Sequence, residues 1–353
     1  MNELPRTYRT LAGKRMLVTG AAGFIGGSLI RRLAELGLDA VGTAMLESEV
    51  DALRAEGLAA ERLDLADLGG WESLLEGVDV VYNVAAMFQD YDQGEDSYDR
   101  VNHLGALELA RIAAAVGVGR FVQCSTVGVH GHVKEVPATE ETPFNPMDAY
   151  HRTKLAGELA IQAFARTLPQ DGMIVTVNRP AMVYGPRDVR MLKLFRAIAT
   201  RRFRMIGSGE CLAHLGYIDD QTESFLLQAI ASREQVHLQA FNIASDRPTT
   251  LNELASLIAE CAEVPLARVH VPLAPVWAAA LVCETVCRPF GWRPPLFRRR
   301  VGFFTHDRAF DLTKARERLG YESRWSHREG IAATIDWYCE QGWIPPRAER
   351  NVA

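Results

Sequence analysis

Seven residues near the start of the chain, Gly20-Ala21-Ala22-Gly23-Phe24-Ile25-Gly26, constrain it most. They lie between an apolar run, Arg15–Thr19 (RMLVT), and a stretch with apolar residues at helical spacing, Phe24–Leu36. Glycines at such a crossover let the backbone turn sharply and approach a pyrophosphate. The helix that follows offers free N–H groups and the positive end of its dipole. The spacing is GxxGxxG rather than GxGxxG, so the place between strand and helix weighs more than the letters. A chain that opens this way is directed to a strand–helix–strand unit and a parallel sheet.

The same rhythm continues. Leu38–Thr43, Arg62–Leu65, Asp79–Val84 (DVVYNV), Arg120–Ser125 (RFVQCS) and Met173–Asn178 (MIVTVN) read as strands. Glu47–Glu56, Ala106–Val116 and Ala149–Leu168, the last ended by Pro169, read as helices. Alternation with continuously apolar strands predicts an α/β fold, a Rossmann-type doubly wound parallel sheet covered on both faces. Past Pro180 the rhythm breaks, and prolines gather at 265, 272, 275, 289, 294 and 295. Ala240–Ile243 (AFNI) reads as a late strand of the sheet. The expected division is a dinucleotide-binding domain over 1–179 plus about 214–246. A smaller, discontinuous substrate domain takes 180–213 and 247–353.

Composition narrows the function classes. Lys+Arg 39 against Asp+Glu 44 gives a net charge of −5, which speaks against a nucleic-acid partner. Apolar residues run through the whole chain, which excludes disorder as its main state. The opening MNELPRTYRTLAGKR lacks the apolar core of a secretory signal. The longest apolar run, Val276–Cys283, is far short of the roughly 20 residues of a membrane span. Six scattered cysteines read as reduced thiols, and the expected setting is cytoplasmic. Cys283 and Cys287 lie one helical turn apart without a second pair of ligands, so no metal site is expected.

Two further features carry chemistry. Tyr150-His151-Arg152-Thr153-Lys154 puts a phenol and an ammonium on one helical face. The cation favours the phenolate, which makes Tyr150 a usable acid or base. With nine tyrosines and five lysines, such a spacing is expected by chance roughly 0.1 times. Cys124-Ser125-Thr126 ends the fifth strand, at the sheet edge where ligands sit, and a hydroxyl there would bind the substrate oxygen. Read alone, a Ser-Thr pair after a strand is an ordinary turn. The acid that holds a ribose after strand two is missing, since that place reads Gly42-Thr43-Ala44-Met45. The nearest acid is Glu47 and the nearest base Arg54. With no cation for a 2′-phosphate, NAD is the expected cofactor and NADP the alternative. Asp64-Leu65 would cap the adenine, or Asp64 or Asp67 would cap a helix instead.

Taken together, these elements resemble the extended short-chain dehydrogenase/reductase family, also called the NAD-dependent epimerase/dehydratase family. The likeness includes GAAGFIG, NVAA after strand four, Asn102 in VNHLGA, CST and YHRTK. It continues through NRPAMVYGPRD (178–188), YIDD (217–220) and FNIASDRPTTLNELA (241–255), and spans about residues 14–340. The resemblance implies that Thr126, five residues before Gly131, orients the reacting oxygen. Tyr150 would be the acid/base, Lys154 would lower its pKa, and Asn102 would support the proton relay. Gly20, Gly23 and Gly26, with Phe24 and Ile25, would cradle the cofactor pyrophosphate. Asp64, Leu65, Val84, Ala85, Ala86, Tyr150, Lys154, Pro180 and Val183 would line the cofactor. Expected substrate contacts are Met87, Gly128, His130, Arg187 and Arg300. The family also implies a homodimer through a helical bundle. His130 departs from it, standing where the family's V-Y-G sequence has tyrosine.

Particular branches of the family are weighed by what is missing. The 4,6-dehydratases place Asp-Glu after the catalytic Thr, whereas Val127-Gly128 follow here, so elimination of water is disfavoured. Nucleotide-sugar epimerases carry an Arg shortly before the Y/V-x-D segment, and Cys211–Tyr217 (CLAHLGY) has none. FRMIGSG (203–209) and FDLTKA (310–315) before LGY (319–321) look like the 3β-hydroxysteroid dehydrogenase-like branch. The expected activity is interconversion of a secondary alcohol and a ketone on a sterol-like or other bulky substrate. A nucleotide-sugar epimerase with retained NAD is the alternative. A non-catalytic dinucleotide sensor is the remote one, and the Tyr-x-x-x-Lys pair speaks against it. Arg298-Arg299-Arg300, after the apolar stretch 271–287, would hold a substrate diphosphate, touch anionic lipid in a peripheral membrane contact, or form a solvated loop. Arg187 and Arg190 are further candidates for an anionic substrate.

Overall fold

Alternate residues of strand β1 (Arg15–Thr19) face opposite ways, Leu17 to one side and Met16 and Val18 to the other, and the chain builds a layer against each. In the computed structural model, which describes residues 4–67, 69–88, 94–267, 269–287 and 301–346, six more strands join it. They are β2 (Asp39–Ala44), β3 (Ala60–Arg62), β4 (Val80–Asn83), β5 (Arg120–Cys124), β6 (Ile174–Pro180) and β7 (Ala240–Ile243). The order is β7-β6-β5-β4-β1-β2-β3 and every pairing is parallel. Val18 stands opposite both Gly42 and Tyr82 in the ladder. The chain leaves β1 toward β2 on one side and later returns to β4 on the other. That reversal opens a crevice at the carboxyl edge of β1 and β4, the usual ligand place in such sheets.

Met16, Val18, Tyr82 and Val122 pack under α1 (Phe24–Glu35), α2 (Glu47–Ala55) and, through Phe225, a later helix, Ile218–Ile230. Leu17, Val81, Phe121 and Val175 pack against Leu109 of α3 (Ala106–Ala115) and Ile161 of α4 (Ala149–Ala165). The Ile218–Ile230 helix is α5. A separate core lies past Pro180, where Phe195 and Ile198 meet Leu254 and Ile258 of α6 (Leu251–Cys261). After α7 (Leu273–Cys287), that core is completed by Ile335 and Tyr338 of α8 (His327–Glu340).

The Rossmann-type sheet expected from the sequence is therefore present, with local differences. β3 lies earlier than Arg62–Leu65 because Asp64 Oδ1 accepts a hydrogen bond from the Ala66 N–H (2.8 Å), turning the chain before Leu65 can pair. A π-helical turn, Arg100–Gly105, precedes α3 and was not anticipated. Gly105 there presses on the Leu65 carbonyl, and a Cβ would stand 2.2 Å from that oxygen.

Candidate active site

The glycine turn leaves no room for side chains. Gly20 has φ +67°, and a Cβ on it would stand 2.8 Å from Ala85 Cα. A Cβ on Gly26 would stand 2.3 Å from the Gly20 carbonyl oxygen. Thr19 Oγ1 accepts from the Val84 and Ala85 N–H groups (3.0 and 2.9 Å) while donating to Asn83 Oδ1 (2.7 Å). The end of β4 is thereby pinned across the end of β1, beside the start of α1. This bare cradle at a helix N-terminus fits a dinucleotide pyrophosphate.

A cavity of about 1430 Å³ runs from that cradle along the carboxyl edge of the sheet. Ordinary small-molecule sites occupy roughly 300–1,000 Å³, so there is room for a second ligand beside a cofactor. Every expected cofactor contact lines it, as do Thr126, Met87 and Gly128. Lys154 is buried one helical turn beyond Tyr150 on α4. Burial pushes its ammonium below the usual lysine range, against the opposing pull of Cys124 and Glu158. The Tyr150 ring stands edge-on to Phe88, with centroids 4.7 Å apart. Thr126 caps the turn Val127–His130, its Oγ1 accepting from the Gly128 N–H (3.1 Å). That bond uses a lone pair and leaves the hydroxyl proton to donate. Ser125 also lines the cavity, and its buried Oγ has no hydrogen-bond partner among the described residues.

Asn102 lies behind this wall. Its Oδ1 accepts from Met87 N–H (2.8 Å), and its Nδ2 donates to the Met87 carbonyl (3.1 Å) and to Thr153 Oγ1 (3.2 Å). The side chain clamps the Met87 segment to α4.

Two expected substrate contacts are not brought to this cavity. His130 is buried elsewhere, its Nε2 accepting from Arg179 Nη1 (3.2 Å) and its ring stacked on Phe144. Burial, with Arg179 next to it, pushes its pKa down. Arg187 points to Glu56 (3.6 Å) and does not line the cavity. Arg300, with Arg298 and Arg299, lies outside the described residues. Arg54 is held by the Ala60 carbonyl and Glu61, away from the cavity, and Glu47 does not line it either.

Other residues line it without having been singled out from sequence. Glu49, in the first turn of α2, stands beside Thr43, Ala44 and Met45 at the end of β2. Its Oε2 accepts from the Leu46 N–H (3.2 Å), capping α2. His151 has its Nδ1 3.0 Å from Asp148 Oδ2, and its ring fills the space next to Gly128. A Cβ on Gly128 would stand 2.2 Å from that ring. His151 was legible as the neighbour of Tyr150. His132 and His306, stacked at 3.5 Å, meet across distant parts of the chain and leave no sequence signal. Arg308 donates to the His306 and Gly302 carbonyls. Arg190, by contrast, is a candidate the sequence offers for an anionic substrate; it lines the cavity and lies over the rings of Phe24 and Phe88.

Residues 16–244, about two thirds of the chain, match the model of the NAD dependent epimerase/dehydratase family. The chain belongs to that family. It is 28% identical over 340 residues to UDP-glucose 4-epimerase of Mycolicibacterium smegmatis, covering 92% of this chain and 98% of that protein. It is 27% identical over 345 residues to the 4-hydroxy-2-methyl-3-oxo-4-farnesyl-3,4-dihydroquinoline-1-oxide ketoreductase of Stigmatella aurantiaca, covering 95% and 100%. Among solved structures, UDP-glucose 4-epimerase of Thermotoga maritima with UDP-glucose is similar at a TM-score of 0.73 and 26% identity, covering 93% and 99%. Membership makes the chain an NAD-dependent enzyme of the epimerase, dehydratase and reductase kind. Among the described residues, no helix is long and apolar enough to cross a membrane, and no cluster of three or more His, Cys, Asp or Glu could hold a metal.

Proposed function

We propose that this enzyme interconverts a secondary alcohol and a ketone on a bulky apolar substrate, using NAD. The observation that carries the reading is the lining of the cavity beyond the cofactor cradle. Met87, Phe88, Met147, Met191, Trp277 and Phe310 give it a large apolar share beside polar groups such as His132, Glu284, His306 and Arg308, and methionine adapts to irregular apolar shapes. A sterol-like ring system is one class that would suit it, in keeping with the 3β-hydroxysteroid dehydrogenase-like segments. The Stigmatella relative, a ketoreductase whose named substrate carries a farnesyl chain, supports the same reading.

Gly20, Gly23 and Gly26 would hold the pyrophosphate, and Glu49 would face the adenosine ribose. Bound there, the nicotinamide would accept or give the hydride. Thr126 would donate its hydroxyl proton to the substrate oxygen and fix that oxygen beside Tyr150. In the oxidative direction Tyr150 Oη takes the hydroxyl proton, and in the reductive direction it returns one. The buried Lys154 ammonium stabilises the phenolate between these states. Asn102 would act by holding Met87 and α4 in place. With Val127-Gly128 after Thr126, no carboxylate stands there to eliminate water. The substrate domain, 180–213 and 247–353, would supply the far wall.

A nucleotide-sugar epimerase is the second reading, favoured by two cations on the cavity wall, Arg190 and Arg308. The two separate on cofactor turnover. Purified enzyme is mixed with reduced nicotinamide cofactor and a panel of bulky ketones, and separately with UDP-hexoses. Stoichiometric loss of reduced cofactor with a ketone is the expected result. Interconversion of UDP-hexoses with no net cofactor change would replace this proposal by the second reading. The same preparation tests the cofactor. NAD is expected to bind more tightly than NADP in a fluorescence titration, since among the described residues no cation lines the cavity at the end of β2. Tighter NADP would point to Arg62, whose Nε donates to the Met45 carbonyl.

A further inference from the structure

Arg190 belongs to the segment after Pro180, yet its guanidinium carbon lies 5.7 Å from the ring centroid of Phe24, the first residue of α1. It lies 5.3 Å from the ring centroid of Phe88, and the residue lines the cavity. Asp188, fully buried, fixes the backbone that presents it. The Asp188 Oδ1 accepts from the Arg190 N–H (2.9 Å), and its Oδ2 accepts from the Met191 N–H (3.1 Å). The Asp188 carbonyl accepts from the Tyr338 hydroxyl of α8 (2.6 Å), which ties this segment to the second core. The guanidinium itself is barely held, since Nε approaches Asp188 Oδ1 at a long 3.5 Å. Among the described residues, neither Nη nitrogen has a hydrogen-bond partner. A planar fork of N–H donors is thus left unpaired in the cavity wall. It stands beside the positive end of a helix, and like charges so placed call for an anion between them.

We propose that Arg190 completes the site of the cofactor pyrophosphate. The N–H groups of α1 serve it from the sheet, and the Arg190 fork serves it from the second core. The cofactor then clamps the second core to the sheet through Arg190, Asp188 and Tyr338. Charge supports the assignment. A pyrophosphate bears a negative charge on each phosphate, whereas a helix N-terminus offers only about half a positive charge. Position favours the cofactor over an anionic substrate. Phe24 is part of the glycine cradle, and Phe88 closely follows Val84, Ala85 and Ala86, which line the cofactor end of the cavity. The assignment takes away one of the two cations that favour a nucleotide sugar. It rests on NAD as the cofactor and on no particular substrate.

Isothermal titration calorimetry of NAD and of ADP-ribose, which keeps the pyrophosphate but lacks nicotinamide, tests it on the full-length protein. Arg190→Met should raise both dissociation constants by roughly tenfold or more, as loss of a charge-assisted bidentate contact requires. Arg190→Lys, which keeps the charge and loses the fork, should fall between the two proteins. Adenosine, which has no phosphate, should bind wild type and Arg190→Met alike. The side chain is 38% exposed, so the variant without cofactor should melt with the wild type. NAD should slow hydrogen exchange in residues 188–191 of the wild type and not of Arg190→Met. The proposal is overturned if Arg190→Met binds NAD and ADP-ribose as tightly as the wild type, which would leave the guanidinium to the substrate. Weaker NAD with unchanged ADP-ribose would also overturn it, by moving the contact to the nicotinamide half. Adenosine weakened as much as NAD would overturn it too, and would give Arg190 a structural role.

Discussion

His214 is built to be neutral. Its Nε2–H donates to the Ser245 carbonyl (2.8 Å), and its Nδ1 accepts from the Phe310 N–H (3.1 Å). A proton on Nδ1 would break the second bond in a buried place, and burial holds the pKa down to about 4. The unfolded chain binds that proton near pH 6.5, so it holds more protons than the folded one between these values. Stability is full above about 6.5 and is lost as pH falls toward about 4, by about 3 kcal/mol in all. His130 and His327, also pushed down by burial, act in the same direction. Urea unfolding at neutral and mildly acidic pH should show the loss, and His214→Gln, which does not titrate, should flatten it. At the reacting centre, Tyr150→Phe keeps the ring and removes the proton, so NAD binding survives while turnover falls by roughly 10²–10⁴. Thr126→Val should cost more activity than Ser125→Ala. The reverse order would hand the orienting role to Ser125, whose Oγ also lies in the cavity wall. Tyr150 and Lys154 could be found by eye because helical spacing alone brings them together. The place of His151 against Gly128 could not, because it depends on how the turn Val127–His130 meets α4.

Helix α4 and strand β6 are joined by a buried ion pair. Glu158 Oε1 lies 2.5 Å from Arg179 Nη2, and Arg179 Nη1 donates to the Glu140 carbonyl (3.2 Å). Glu158 follows Lys154 by one turn, so the pair fixes the segment that presents the ammonium. Removing one partner leaves a buried charge alone, and Glu158→Gln is expected to cost about 3–5 kcal/mol. Glu158→Gln combined with Arg179→Met should be less damaging than either single change, a pattern that a double-mutant cycle of melting curves would reveal. The elements themselves were readable to the extent that local patterns define them. β1, β4, β5 and β6 are short apolar runs between turn residues, and AFNI could be read as the strand β7. The end of β3 depended on the Asp64 side chain, and the π-helical turn sits where Gly105 presses on the Leu65 carbonyl. Neither has a periodicity to read.

At the scale of the whole molecule, two cores meet along the cavity, and its far wall is where sequence reading fell short. Trp277, His306 and Arg308 come from the proline-rich second half, where no repeating pattern announces which residues face inward. Association is expected too. Leu104 and Leu159, at the π-helical turn and on α4, stand 52% and 44% exposed. We expect a homodimer through this face, with twice the 39.1 kDa chain mass in light scattering. Leu104→Glu combined with Leu159→Glu should return the single-chain mass with an unchanged circular dichroism spectrum. The strand order has a consequence for synthesis. β7 belongs beside β6, yet it is made only after the segments that build much of the second core. Until Ile243 has left the ribosome, the nascent sheet ends in a bare β6, whose unpaired backbone groups invite pairing with another chain. Ribosome-stalled fragments ending before Ala240 should therefore recruit chaperones, and fragments that extend through α8 should release them.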